Sequence, residues 1–479
     1  MALYSRIGNS WFRRDYERVV TVGSSGSLPA ALYSCIAITP GESYPLVART
    51  CTLPGGVYFI GSDGSQGTGA AVNSPIVVTR SNTTITGPLS GPRTRLVRLR
   101  GCAPLVSIGA GIQSVTVKEL DIDGNNEALA NLPACMDHSS HPQPSQSNDM
   151  HIKGPGVQNI TVQNVSFEDA LGRSLSIEAP GVTDIAVTGS SFINAALTGI
   201  LIYGPGEPST TQACDATTSP DPATDSNRPR RININGGLFI DSWTGAIANN
   251  YGHDVNINGA YFTHNYFDPY DQAGGTIFYD LCTIKSTVTG SFFNGAGLTT
   301  ATEGLEIHGK EVTIENSTFA GYPTAGITLH SAKKVVIRNN EIHNNGSYEG
   351  LPSAPWKNGV TLNQRLVAGQ ARRAVEDVLF DNNRINNDSN YPGICAQPGV
   401  CTQTVSIGFR FADGATSANS LINIRFSPTL TPGSDTNILL PAGPFPVGRN
   451  RCKDTNLVVE VTAPTGSPVI EDCAPQTLQ

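Results

Sequence analysis

A segment that repeats itself decides the fold: MHIKGPGVQNITVQNVSFEDA (150–170) is followed by LSIEAPGVTDIAVTGSSFINA (175–195) and ILIYGPG (200–206). Met150, Leu175 and Ile200 stand at a constant spacing of 25 residues. Related units begin upstream at PIVVTRSNTTITG (75–87) and continue to VSIGFRF (405–411). Repetition at such a period is the signature of a solenoid, in which each unit stacks on the next.

Each unit holds three short runs in which apolar and polar residues alternate, separated by turns rich in Gly, Asn and Pro. Alternation with a period of two indicates strands. Three strands in about 22–25 residues cannot bury a face alone, so equivalent strands must stack in parallel. Five Asn residues at the turns are expected to adopt the left-handed conformation, which Asn tolerates well: Asn164, Asn194, Asn316, Asn340 and Asn383.

The run VTIENSTF (312–319), followed by GITLH (326–330), resembles the repeat of the pectin-lyase-like superfamily. The resemblance covers roughly residues 55–425. It implies an all-β fold, a single-stranded right-handed parallel β-helix with three strands per coil and about 10–12 coils. We expect residues 1–54 to form an N-terminal cap and residues 426–479 an irregular C-terminal closure. Members of the superfamily include hydrolases, lyases, epimerases and non-catalytic fibres, so the resemblance predicts a carbohydrate polymer as partner but no single activity.

Composition restricts the partners and the compartment. A net charge of −8 argues against nucleic acid, which needs a basic face. No stretch approaches the about 18 apolar residues of a membrane span, so no membrane partner is expected. The ten cysteines show no CxxC pair and no zinc-type Cys/His cluster, and we predict neither a metal nor a cofactor. Disulfides are expected instead, with the plausible local pairs Cys35–Cys51, Cys395–Cys401 and Cys452–Cys473.

Disulfides predict a secreted protein, although the first twenty residues lack the apolar core of a signal peptide. The sequence leaves open whether the chain is a monomer or a homotrimer.

In the pectin-lyase-like superfamily the substrate groove runs along the strand called PB1. Here the PB1 strands would be 150–153, 174–178, 200–203, 246–250, 276–280, 305–308, 327–330, 360–363 and 406–410. Long insertions enter or leave these strands, and loops massed on one side of a solenoid usually flank its binding face. Alternation then predicts an outward set of side chains that includes Lys153, Glu178, Tyr203, Tyr279, Glu306, His308 and His330. With the opposite register at 276–280, Asp280 would replace Tyr279 on the surface.

The first hypothesis is glycoside hydrolysis by paired carboxylates, with Glu306 as the central catalytic residue. Adjacent coils are about 4.8 Å apart. Retaining enzymes need carboxyl groups about 5 Å apart and inverting enzymes about 6.5–9.5 Å. Asp280 suits the shorter distance from Glu306, and Asp241 or Asp271 suits the longer one. Seven residues are expected to bind the sugar: His308, His330, Tyr279, Trp243, Tyr203, Lys153 and Glu178.

Two other hypotheses compete. A polysaccharide lyase or C5-epimerase would need a base, an acid and a cation around one sugar carbon, which His, Tyr and Lys side chains of this face offer. The segment YFDPYDQ (266–272) is similar to the F-D-P-H-E motif of mannuronan C5-epimerases, but Tyr270 stands at the His position and we treat the match as coincidental. The third hypothesis is a non-catalytic glycan-binding adhesin or fibre, and the long loops that flank the face weigh against a plain stalk.

Overall fold

The computed structural model describes a set of segments: residues 4–7, 10–13, 27–39, 42, 47–61, 73–100, 103–125, 148–204, 227–265, 273–279, 282–298, 301–346, 358–364, 375–386, 405–411, 421–426, 437–440, 450–452, 458–461 and 470–471. The chain divides into two compact units. The first consists of Met1–Pro205 and Asp225–Ile247, and the second of Gly206–Thr224 and Ala248–Gln479.

The first unit is built from three parallel sheets, each formed by one strand from every coil. Sheet 1 contains β5 (Ile76–Val78), β8 (Val106–Ile108), β11 (Asn148–Lys153), β14 (Arg173–Glu178) and β17 (Thr198–Tyr203). Sheet 2 contains β3 (Arg49–Thr52), β6 (Thr83–Thr86), β9 (Gln113–Lys118), β12 (Gln158–Gln163), β15 (Thr183–Thr188) and β18 (Arg230–Asn235). Sheet 3 contains β4 (Gly56–Gly61), β7 (Thr94–Arg100), β10 (Leu120–Asp123), β13 (Ser166–Glu168), β16 (Ser191–Ile193) and β19 (Leu238–Ile240).

The beginning of the first unit differs from this pattern. Strands β1 (Tyr4–Ile7) and β2 (Ser10–Arg13) pair antiparallel, and helix α1 (Ala30–Ile36) follows. The predicted disulfide Cys35–Cys51 is present and joins α1 to β3. The side chains of the other two predicted cysteine pairs lie outside the described residues. In the described part of the chain, no helix has the length and apolar character that crossing a membrane requires.

The second unit repeats the three-sheet arrangement, and β20 (Gly245–Asn249) lies across the boundary in sequence. Its sheet 1 contains β23 (Ala273–Tyr279), β26 (Ala301–Ile307), β29 (Ala325–His330), β32 (Asn358–Gln364), β35 (Val405–Phe411), β37 (Asn437–Leu440) and β39 (Val458–Val461). Its sheet 2 contains β21 (His253–Asn258), β24 (Ile284–Thr289), β27 (Lys310–Glu315), β30 (Lys333–Arg338), β33 (Val375–Asp381), β36 (Leu421–Phe426), β38 (Asn450–Cys452) and β40 (Ile470–Glu471). Its sheet 3 contains β22 (Tyr261–Thr263), β25 (Phe292–Asn294), β28 (Thr318–Ala320), β31 (Glu341–His343) and β34 (Arg384–Asn386).

This topology confirms the predicted right-handed parallel β-helix. Strands β11, β14 and β17 of the first unit, and β23, β26, β29, β32 and β35 of the second, coincide with predicted PB1 strands. The 25-residue spacing is a structural register, because Leu175 pairs with both Met150 and Ile200. All three side chains are fully buried, as the alternation predicted.

The core of each unit is a column of like side chains from successive coils. In the first unit Phe167, Phe192 and Phe239 stack with ring centroids 5.0 and 4.7 Å apart. In the second unit Phe262, Phe293 and Phe319 stack at 4.6 and 4.4 Å. All six rings are fully buried. Stacked coils bring equivalent positions together. The same apolar residue at one position of successive coils therefore packs against itself and fills the interior.

A second column, of hydrogen bonds, runs through the turns of the second unit. The backbone N–H of Ser291 donates to Ser317 Oγ at 3.1 Å, that of Ser317 donates to Asn340 Oδ1 at 3.0 Å, and that of Asn340 donates to Asn383 Oδ1 at 3.1 Å. Asn340 and Asn383 are buried. These bonds satisfy turn N–H groups that have no strand partner.

The prediction of left-handed turns is confirmed for Asn164, Asn194 and Asn316, with φ of 50°, 56° and 51°. It was wrong for Asn340 and Asn383, which belong to the buried hydrogen-bonded column. Their neighbours Asn339 and Asn382 take the left-handed conformation instead. In an Asn-Asn pair, therefore, the first residue makes the turn and the second supports it.

Candidate active site

Strands β26 and β29 of the second unit bring three reactive side chains together. Leu305, Ile307 and Leu329 are fully buried in the core, so alternation directs Glu306, His308 and His330 to the outer face of sheet 1. Register supports this arrangement, since Glu306 pairs with Thr328 and Ile307 with Leu329. His308 follows the end of β26, and its backbone N–H donates to the carbonyl of Tyr279 at 2.7 Å.

The three side chains contact one another. Glu306 Oε1 lies 2.7 Å from His308 Nε2 and 3.5 Å from His330 Nε2. The two imidazole rings stack with centroids 4.6 Å apart and planes 13° from parallel. Although they face outward, Glu306, His308 and His330 are only 8%, 4% and 8% exposed. We call these three residues the Glu306 cluster.

Other side chains of sheet 1 surround the Glu306 cluster. The ring of Phe278 on β23 meets His308 edge-on at 5.2 Å. The amide of Asn363 on β32 lies 3.0 Å from His330 Nδ1. Thr328, beside Glu306 in the sheet, is fully buried, and its hydroxyl has no hydrogen-bond partner among the described residues. The cluster is therefore bordered by an aromatic ring, a side-chain amide and a hydroxyl that has no partner in the described part of the chain.

The prediction that Tyr279 faces the substrate was wrong. Tyr279 pairs with Ile307 and is fully buried, while Phe278 pairs with Glu306 on the outer face. Burial also raises the pKa of the Tyr279 hydroxyl above its ordinary value. Two adjacent aromatic residues made the alternation ambiguous, and Phe278 was missed. The signal that could have found it is the alignment of Ile277 with Leu305, which puts the next residue outside.

The acidic partners predicted for Glu306 are only partly placed. Asp280 and the segment 266–272, which includes Asp271, lie outside the described residues. Asp241 belongs to the first unit, where it occupies the turn after β19 with φ of 56° and is 8% exposed. Trp243 follows in the same turn, half-buried, and its backbone N–H donates to Ala195 at 3.0 Å. Pairing of any Asp with Glu306 stays a prediction.

Sheet 1 of the first unit carries a separate charged group. Lys153, Glu178 and Tyr203 pair in register, as the predicted outward set requires. Glu178 Oε2 lies 3.0 Å from Lys153 Nζ, and its Oε1 lies 3.0 Å from His151 Nε2 and accepts a hydrogen bond from Ser176 at 2.9 Å. An open cleft of about 480 Å³ adjoins His151 and Lys153.

The protonation of Glu178 follows from these contacts. Burial, the largest influence, raises the pKa of this carboxyl group, but the contacts with His151, Lys153 and Ser176 together outweigh it and lower the pKa to about 2. Glu178 is therefore ionised at neutral pH and its charge is already balanced locally. A role for Glu178, Lys153 or Tyr203 in sugar binding stays a prediction.

Comparison with known proteins agrees with the fold. The family described as "Right handed beta helix region" matches residues 237–424. No curated protein sequence matches the chain. Similar solved structures include the A-module of the mannuronan C-5 epimerase AlgE4 from Azotobacter vinelandii, with 14% identity, 92% of this chain and 95% of that chain covered, and a TM-score of 0.44.

Two further solved structures are similar to the chain. An alginate lyase from Paenibacillus sp. str. FPU-7 has 10% identity, covers 81% of this chain and 97% of its own, and has a TM-score of 0.41. The surface protein and adhesin PfbA of Streptococcus pneumoniae has 13% identity, coverages of 79% and 91%, and a TM-score of 0.40. These activities differ from one another, and none is assigned to this chain on such similarities.

Proposed function

We propose that this chain is an extracellular enzyme that hydrolyses a carbohydrate polymer on the outer face of sheet 1 in the second unit, with the Glu306 cluster as its reactive centre. The observation that carries the proposal is the contact of 2.7 Å between Glu306 Oε1 and His308 Nε2. A carboxylate held in place by an imidazole is positioned to accept a proton from an attacking water.

The face around the cluster suits an extended ligand. Phe278, Glu306, Thr328 and Thr361 pair in register and form one outward column across four successive coils. Phe278 and Glu306, the accessible members of the column, offer an aromatic ring and a carboxylate side by side, the kinds of groups that contact the apolar faces and hydroxyls of sugars, whereas Thr328 and Thr361 are buried. The disulfide Cys35–Cys51 agrees with an oxidising, extracellular location.

In the proposed reaction, which is of the inverting type, Glu306 activates water, while the carboxyl group of Asp271, the partner expected at the longer distance, protonates the departing glycosidic oxygen. His308 orients the Glu306 carboxylate through its Nε2. His330 Nε2 lies 3.5 Å from the same oxygen.

A second candidate, β-elimination or epimerisation of a uronan, is favoured by one observation. The stacked rings of His308 and His330 place two proton-transferring groups 4.6 Å apart. Such a pair can remove a proton from a sugar carbon and deliver one to the leaving oxygen.

One assay separates these activities. The protein is incubated with a panel of neutral and uronic-acid polysaccharides, and reducing ends and ultraviolet absorbance of unsaturated products are followed together. Reducing ends without absorbance support hydrolysis, and absorbance identifies a lyase. Changed uronic-acid stereochemistry without cleavage identifies an epimerase, and binding without any of these products identifies an adhesin.

The site itself is tested with Glu306→Gln, which keeps the size of the side chain and removes its charge. We expect turnover to fall by at least about 10²-fold because a general base contributes about 10²–10⁴-fold. Glu311→Gln is the matched control, since Glu311 is an exposed residue of sheet 2 in the same unit, paired with Lys334 at 3.2 Å. Unchanged turnover in Glu306→Gln would place the reaction elsewhere.

A further inference from the structure

We propose that the Glu306 cluster is a binding site for a divalent transition-metal ion, with Zn²⁺ as the reference ion. The cluster supplies two imidazole nitrogens and one carboxylate oxygen. This is the donor set of catalytic zinc sites of the His₂Glu type, which leave a fourth position for water or substrate. The binding claim stands on the geometry of the cluster, and only the role of the metal in catalysis rests on the proposed function.

The donor atoms already lie at distances that suit one ion. Each of Glu306, His308 and His330 offers one ligand atom, and these three atoms all lie within 4.8 Å of one another. The two distances from Glu306 Oε1, 2.7 and 3.5 Å, bracket the separation of about 3.3 Å between donors around a tetrahedral ion with bonds of about 2.0–2.1 Å. The planes of the two imidazole rings are 13° from parallel, so the side-chain torsions of His308 and His330 must turn for both nitrogen lone pairs to point at one ion.

Thr328 gives an independent indication of a missing ligand. Its hydroxyl is fully buried, has no partner among the described residues, and stands next to Glu306 on the same face. A buried hydroxyl without a partner is costly and calls for a group that the described residues do not supply. A water bound to the metal in its fourth position would provide that partner.

Asn363 supports the proposal from behind the cluster. Metal-binding histidines normally have a hydrogen bond at the other ring nitrogen, which fixes the tautomer and the ring orientation. The side-chain amide of Asn363 occupies this place, 3.0 Å from His330 Nδ1. When Nε2 of His330 binds a metal, Nδ1 carries the proton and needs an acceptor. A 180° flip of the Asn363 amide, which exchanges its oxygen and nitrogen, provides that acceptor.

Accessibility is uneven around the cluster. The side chain of His308 is 2% exposed, whereas those of Glu306 and His330 are each 11% exposed. An ion held here would be closed off on the His308 side and reachable from the side of Glu306 and His330. A metal in such a position acidifies its bound water. In the metal-loaded protein that water would be the nucleophile of the proposed hydrolysis, and Glu306 would serve as a metal ligand in place of its role as the base.

The test uses the full chain under non-reducing conditions, stripped with a chelator and then titrated with Zn²⁺ in a calorimeter and with Co²⁺ in a spectrophotometer. We expect the parent protein to bind one equivalent of Zn²⁺ and the variants Glu306→Gln and His330→Ala to bind none at this site. With Co²⁺ we expect the visible absorption bands of a metal ion with a low coordination number. His264→Asn is the matched control, because His264 has φ of 54°, which Asn tolerates, and lies outside the cluster. It should bind as the parent does.

The proposal is overturned if the parent protein binds no Zn²⁺, or if the Zn²⁺ that it binds is retained in both Glu306→Gln and His330→Ala. If either variant fails to fold by circular dichroism, Asn363→Leu takes its place, with an expected loss of about 10–100-fold in affinity; undiminished affinity in that variant also counts against the site. Cleavage that survives removal of all metal from a protein that binds Zn²⁺ refutes only the catalytic role. Zn²⁺ binding without any action on glycans refutes only the proposed function.

Discussion

Replacing Gly275 by alanine tests whether the backbone of β23 holds Glu306 in position. Gly275 lies on the coil before Glu306. A Cβ atom at residue 275 would fall 2.8 Å from Glu306 Cβ, 2.9 Å from Glu306 N and 2.6 Å from the carbonyl oxygen of Ile277. Ordinary contacts of this kind are 3.4–4 Å. The added methyl group therefore overlaps with backbone that no side-chain rotation can clear.

The displacement sets the size of the effect. Glu306 must move by at least about 0.6 Å to restore contact distance, and forcing an extra methyl group into a packed site costs about 1–3 kcal/mol of unfolding free energy. A shift approaching 1 Å in a catalytic group lowers the rate by up to about 10²-fold. We expect Gly275→Ala to fold, to lose about 1–3 kcal/mol of stability, and to lose about 10–100-fold in turnover and in Zn²⁺ affinity.

Denaturant unfolding, the glycan assay and the Zn²⁺ titration measure these three quantities. Gly109→Ala is the control, because a Cβ at that glycine meets no atom within 4 Å and the same chemical change is harmless there. Full activity and full affinity in Gly275→Ala would show that the position of Glu306 is irrelevant to both, and the reasoning about the cluster would be wrong.

Three further predictions concern stability. Asn340→Ala leaves the buried N–H of Ser317 without its acceptor, so the free energy of unfolding should fall by about 1–3 kcal/mol in urea titrations, and an unchanged midpoint would contradict the role of the turn column. The pKa of Glu178 is lowered from 4.5 to about 2, so its stabilising contribution is complete above about pH 4.5 and is lost as the pH falls toward 2. Stability of the parent should therefore drop more steeply than that of Glu178→Gln over this window, and parallel pH profiles would refute the assignment. Serine at both Cys35 and Cys51, which close a loop of 16 residues, should cost about 3 kcal/mol under oxidising conditions, and equal midpoints for parent and variant would argue against it.

The fold could be predicted because its two determinants are local. Alternation fixes which residues enter the core, and the 25-residue spacing fixes which coils pair. Met150, Leu175 and Ile200 carry both signals at once, and their pairing in the structure follows directly. Burial of one face specifies the register strongly, because a slip of one residue would expose the whole apolar set.

The candidate site could be predicted only where the alternation is unambiguous. Glu306 has an aliphatic residue on both sides and His330 has one on its N-terminal side. Because aliphatic residues enter the core, the outward direction of both side chains could be predicted. At Phe278 and Tyr279 either residue can fill a core, so the pattern alone could not choose between them. His308 contacts Glu306 from a position just after the end of β26, and Asn363 supports His330 from another coil. Both contacts depend on side-chain conformations that no spacing rule contains.

The column of turn hydrogen bonds through Ser317, Asn340 and Asn383 has a consequence for how such a protein can change over time. The side-chain interactions that join successive coils lie along one corner and in the interior. The outward side chains of sheet 1 therefore contribute little to the stacking of the coils. Mutations can exchange one reactive group for another there while the scaffold survives. A solenoid of this kind can acquire a new chemistry one side chain at a time.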